Sequence, residues 1–183
     1  MRDAHRERDA WWPRPGAVVA LLTLALPTLG EAAGSECPAH LFVIARSKNA
    51  NIVVYDANRG PGGDFVASAP VVVYWLLNGE NDKREELNSV QRDHAYGVDV
   101  TPADPLGTYA MTFKAERKRG FTVRTLNACP VVTGSIGGQN GILRKIFVQA
   151  KEDSLRPKVE YIEFFAEDAS SGKPLYEKYI PGK

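Results

Sequence analysis

Five side chains with charged or hydrogen-bonding tips, Arg46, Lys48, Asn49, Asn51 and Tyr55, fall within ten residues of one another. A guanidinium presents a planar fork of donors that matches an oxyanion, and a carboxamide both donates and accepts. Grouped around a strand-to-strand turn, such tips can converge on an anionic or sugar-like ligand. Three large aromatics, Tyr74, Trp75 and Tyr96, follow, and rings of this kind line small-molecule pockets. The candidate ligand-binding set is therefore Arg46, Asn49, Asn51, Tyr55, Tyr74, Trp75 and Tyr96. Each has a plainer reading. Asn49 and Asn51 can hold a turn by bonding local backbone. Arg46 can pair with a nearby carboxylate, and the aromatics can be core with their polar atoms satisfied locally.

Other patterns fall short of a recognisable chemistry. Asp56-x-Asn58-x-Gly60 begins like a calcium loop, but Pro61 takes the place of the turn glycine and Ala67 stands where the closing glutamate belongs. Beyond the leader the histidines are His40 and His94, with no His-x-x-x-His or Cys-x-x-Cys spacing. Thr133-Gly134-Ser135-Ile136-Gly137 lacks the first glycine of a nucleophile elbow. Glu160 and Glu163, three apart on a strand, point to opposite faces and do not form a glycosidase pair. No glycine-rich loop opens a helix as a phosphate cradle requires. These patterns predict no catalytic residue, metal or cofactor. A hydrolase would need His94, Tyr96 or a carboxylate such as Asp56 gathered at one cleft. Lys114, Arg117, Lys118 and Arg119, with Glu116 among them, read as a solvated hairpin tip ending at Gly120.

Something must position these residues. Of 183 residues, 44% are hydrophobic and 25% charged, which is ordinary for a folded domain. A formal charge of +1 excludes the broad electrostatic footprint of a nucleic-acid binder. At the N-terminus, Arg2, Arg6, Arg8 and Arg14 flank the uncharged run Ala17 to Leu26, and small residues Ala32, Ala33 and Gly34 follow. This plan predicts a secretory signal over 1–34, with an uncleaved anchor as the alternative. Residues 35–183 then form a single β-rich domain with no transmembrane segment, in the periplasm or outside the cell. Cys37 and Cys129 are the only cysteines. In an oxidising compartment they are expected to form a disulfide.

The dominant periodicity past the leader is two. Asn51–Tyr55 is rich in β-branched residues, and Pro70–Leu77 is apolar on both faces, as in a doubly covered strand. Alternation continues through Tyr109–Phe113, Phe121–Thr125 and Ile142–Ala150, with Arg144 the exception in the last. Val159, Tyr161 and Phe165 line one face of the next run, and Leu175, Tyr176 and Tyr179 mark a last strand. The Asn140-Gly141 pair predicts a hairpin turn. Asp82–His94 reads as one amphipathic helix capped by Asn81 or Asp82 and packed through Leu87 and Val90. The expected fold is mainly β: an antiparallel β-barrel or β-sandwich of about 8–10 strands with one short helix.

Three stretches together resemble a known family. They are Arg46–Asn58, which fits an RSxNxNxVxYxxN pattern; Pro70–Trp75 followed by Gln91 and Ala95-Tyr96-Gly97; and Lys158–Phe165. As a set they are similar to the bacterial exported family catalogued as domain of unknown function 4833, over roughly residues 40 to 180. The resemblance implies an exported single domain and carries no activity with it. The residues point first to a non-enzymatic binding or accessory domain holding a small ligand or a cell-envelope partner. A secreted hydrolase of envelope or extracellular polymers and an assembly module pairing through a sheet edge are the alternatives.

Overall fold

Valine, isoleucine and aromatic residues branch or bulk near the backbone, which favours extended chain and lets neighbouring strands interlock on a pleated face. The consequence here is that strands dominate the described residues. The computed structural model describes residues 37–151 and 158–182; the expected leader over 1–34 lies outside the described residues. The strands are β1 (Phe42–Arg46), β2 (Asn49–Ala57), β3 (Val71–Leu77), β4 (Lys83–Glu86), β5 (Val98–Pro102), β6 (Tyr109–Phe113), β7 (Glu116–Leu126), β8 (Cys129–Ile136), β9 (Gln139–Lys151), β10 (Lys158–Asp168) and β11 (Pro174–Tyr179). Among the described residues one α-helix, α1 (Ser89–His94), lies between β4 and β5, and one 3-10 turn, Asn78–Glu80, between β3 and β4.

All eleven strands belong to one open, strongly curled sheet rather than a closed barrel, in the order β4-β3-β2-β1-β9-β8-β7-β6-β5, with β10 on β9 and β11 on β10. Nor is the sheet purely antiparallel, because β1 runs parallel to β9, with Arg46 opposite Val148. The long strand β9 explains the shape. One of its edges is covered by β10 from Gly141 to Lys151. Its other edge pairs first with β8, through Gln139–Ile142, and then with β1, through Lys145–Val148. Two wings therefore leave the same edge, β1 to β4 and β8 to β5, and they fold toward each other over a shared core. Aromatic contacts join them: Phe42 and Tyr55 each meet Phe113 edge to face at 6.0 and 5.8 Å, and Trp75 meets Tyr96 at 5.2 Å. A disulfide between Cys37 and Cys129, Cα atoms 5.3 Å apart, ties the segment before β1 to the start of β8.

Several local expectations are corrected. The β8–β9 turn is Gly137-Gly138, both at positive φ (58° and 79°), and Asn140-Gly141 lies inside β9. Glycine takes that backbone without steric cost, so the Gly-Gly pair wins over Asn-Gly. The helix is shorter than its polar pattern suggested. Lys83–Glu86 pairs with β3 as an edge strand, and the cap is Asn88, which forms a reciprocal capping box with Gln91. Leu87, just before the cap, is buried, while Val90 is 67% exposed. In β10 the inward residues are Ile162, Phe164 and Ala166, and Phe165 faces out. Register shifts between Val159 and Tyr161 and between Phe165 and Ala166 reset the alternation. The second of these lies opposite Arg144, at the point where β9 changes partner from β8 to β1, so Leu143 rather than Ile142 joins the core.

Candidate functional site

The inner face of β1, β9 and β10 forms a lattice of aligned side chains. Cross-strand register places Ile44, Ile146 and Phe164 in one row, Arg46, Val148 and Ile162 in the next, and Ala150 beside Val159 at the end. This lattice is the floor of a cavity of about 980 Å³. The β6–β7 hairpin overhangs it, the end of α1 with Tyr96 closes one side, and Gly137-Gly138 with Glu177 closes the other.

The overhang comes from an irregular hairpin. Its tip is Lys114-Ala115, because Phe113 pairs with Glu116; Thr112, one step back, pairs with Gly120, four steps further along β7. Arg117, Lys118 and Arg119 are thus looped out of the ladder within β7; Arg117 and Lys118 are exposed, as their charge suggested, but the tip lies earlier, at Lys114-Ala115, and Arg119 is half-buried. Arg119 reaches over the cavity. Its guanidinium donates from both terminal nitrogens to Glu177, each at 2.7 Å, and stacks 4.0 Å above the Phe164 ring. Glu177 also accepts from the Gly137 N–H at 2.7 Å. The Arg119 bond holds the Glu177 carboxyl below the ordinary carboxylate range; burial opposes this and the Gly137 bond reinforces it. This end of the cavity is electrically closed on itself.

Arg46, in the next row of the lattice, is not neutralised in this way. Arg46 donates one hydrogen bond, from Nη1 to the Tyr96 hydroxyl at 3.1 Å. Among the described residues, no carboxylate lies within ion-pair distance of it. Tyr96 is fixed in turn, because its carbonyl accepts from the Tyr55 hydroxyl at 2.6 Å and its ring packs on Trp75. Gly97, the next residue, has no room for a side chain: a Cβ there would lie 1.8 Å from the Arg92 carbonyl oxygen. Glycine thus lets the chain turn from α1 directly into the cavity wall.

The seven sequence candidates separate into four places. Arg46 and Tyr96 line the large cavity. Asn49, Asn51 and Trp75 line a smaller one of about 310 Å³ beside β4 and α1, with Gln91. There the Asn49 side chain accepts from the Asn51 N–H at 2.9 Å, so it holds its own strand end. Tyr55 is fully buried and stacked on Phe42, and burial raises its phenol pKa well above the ordinary value. Tyr74 faces the other side of the sheet and donates to Asp56 Oδ2 at 2.7 Å, under the guanidinium of Arg84. Burial first, then the bond to Asp56, pushes the Tyr74 pKa up to about 12. Asp56 also bonds His40 Nδ1 at 2.6 Å, so it is not gathered with His94 and Tyr96 at the cavity.

A family model described as a domain of unknown function (DUF4833) matches residues 42–178. The chain belongs to that family. No curated protein and no solved structure matches it. The matched span of the DUF4833 domain runs from the start of β1 into β11 and so contains every strand of the cavity. Sequence reasoning missed Arg119, Glu177, Ile162 and Phe164 as cavity residues. The loop-out in β7 and the register shifts in β10 break the alternation that would have aligned them. Among the described residues of the DUF4833 domain, no group of three or more His, Cys, Asp and Glu is placed to hold a metal ion, and no helix is long and apolar enough to cross a membrane.

Proposed function

We propose that this protein is an exported, non-enzymatic binding domain that holds a small ligand in the concave cavity over β1, β9 and β10. The observation that carries the reading is the cavity itself. Its volume of about 980 Å³ lies at the upper end of the range usual for small-ligand sites, and its floor is mostly apolar, with Arg46 as the charged residue among it. Ligand sites have this composition because apolar area supplies affinity while a few fixed donors supply orientation. A leader over 1–34 and a disulfide from Cys37 to Cys129 suit a protein working in an oxidising compartment.

Titration with the neutral dye 1-N-phenylnaphthylamine tests the reading. The expected result is saturable fluorescence enhancement in the wild type and its loss in Ile162→Trp, where the larger ring occupies the floor. Ala150→Phe serves the same purpose should Ile162→Trp not fold by circular dichroism. Enhancement that persists in a folded cavity-filled variant, or none in the wild type, overturns the assignment.

A further inference from the structure

From the distribution of charge around this cavity, we infer that its ligand is a single-chain amphiphile with a carboxylate head, anchored at Arg46. The inference rests on the cavity reading above and names the ligand class. Five charged residues line the cavity besides His94: Arg46, Lys118 and Arg119 against Glu116 and Glu177. Three cations against two carboxylates leave one positive charge. Arg119 and Glu177 spend their charge on each other through two bonds. Glu116 accepts from the backbone N–H of Lys118 at 3.0 Å and from the Tyr179 hydroxyl at 3.4 Å; the Lys118 side chain makes no ion pair among the described residues and sits on the exposed, looped-out part of β7. Of the two cations without a carboxylate partner, Arg46 is the half-buried one that shares a row with the floor, and one of its five N–H donors is engaged, by a phenol.

The lattice register says what must be attached to the head. Arg46 shares its row with Val148 and Ile162, next to the row Ile44, Ile146 and Phe164 and the pair Ala150 and Val159. An anion bonded to the guanidinium therefore has its remaining substituent directed over aliphatic side chains in both directions along β9. A sugar or a free inorganic anion would leave that surface wet, whereas a hydrocarbon chain covers it at about 0.8 kcal/mol per buried methylene. A monoanionic carboxylate matches both the single residual charge and the bidentate geometry of arginine. Tyr96 fixes Arg46 from the side, and Tyr55 and Trp75 fix Tyr96, so the anchor is preorganised.

Fluorescence titration with cis-parinaric acid and with its methyl ester tests the inference. The wild type is expected to bind the acid at least ten-fold tighter than the ester. R46Q is expected to remove that preference while leaving ester binding within about two-fold, because only the anchor is lost. Equal binding of acid and ester by the wild type, or a preference that survives in R46Q, overturns the carboxylate assignment while the cavity reading stands. No binding of either probe overturns both. Should R46Q not fold, the acid-to-ester ratio of the wild type decides alone.

Discussion

At the scale of single residues, the two arginines of the cavity show that context decides what a cation does. Arg119 is paired in a fork with Glu177 and stacked on Phe164, so its charge is spent on structure. Arg46 meets a phenol and keeps its charge. The pairing has a pH signature of definite sign. The folded-state pKa of Glu177 is depressed below its unfolded value, chiefly by Arg119. Protonation therefore favours the unfolded chain, and the pair's contribution is complete above the unfolded carboxylate pKa and lost as pH falls through the folded one. The side chains of Arg119 and Glu177 are 21% and 27% exposed, so solvent screens the interaction only in part. Glu177→Gln is expected to cost about 1–2 kcal/mol at pH 7, in line with hydrogen bonds to charged groups, and less as pH falls below about 4. Urea melts of both proteins at pH 7 and pH 3 check this; a difference that stays constant with pH rules out the ion pair as its source.

Among the elements, the segment from Lys83 to His94 shows where periodicity is legible and where it is not. Leu87 and Val90 are three apart in a polar run, the spacing of neighbours on one helical face. The chain instead uses Lys83–Glu86 to pair with β3 and starts its helix at Asn88. Local propensity lost to a strand partner that no local window contains. Leu87→Ala is then expected to cost about 2–5 kcal/mol, as a buried leucine does, and Val90→Ser to stay within about 0.5 kcal/mol. Thermal unfolding followed by circular dichroism separates these outcomes, and equal losses would restore the continuous helix.

Strand β6 is legible because its alternation is unbroken, and β2 and β3 because they are short runs rich in β-branched and aromatic residues. The cavity was legible only at Arg46 and Tyr96, since the Arg117–Arg119 loop-out and the register shifts of β10 are read from partner strands and not from the run itself. The parallel β1–β9 pair joins residues about a hundred positions apart in the chain, Val43 with Lys145, beyond any local pattern. One free edge of the sheet is guarded. All four residues of β4, Lys-Arg-Glu-Glu, are charged and exposed, which discourages pairing with another chain.

For the whole molecule, the question is what keeps two wings closed when both hang from one edge of β9. Packing between Phe42, Tyr55 and Phe113 does part of it, and the disulfide does the rest across a sequence separation of 92. Its position is telling, because it joins the chain just before the first strand of one wing to the first strand of the other. An unfolded chain closed into a loop of that size has lost configurational freedom equivalent to about 4–5 kcal/mol. Removing the bond restores that freedom to the unfolded state and leaves the folded contacts in place. The double variant C37S/C129S is therefore expected to keep a β-type far-UV spectrum at 20 °C. Its melting temperature should fall by about 10–20 °C, at roughly 2–4 °C per kcal/mol for a domain of this size. Wild type treated with a thiol reductant should fall by the same amount, since both lose only the cross-link. Because the cavity floor is built from β1, β9 and β10 alone, dye binding by the variant well below its melting point should match the wild type. A drop of only a degree or two would mean that the wings hold themselves together by packing; a lost far-UV spectrum would mean that the bond is needed to form the core at all.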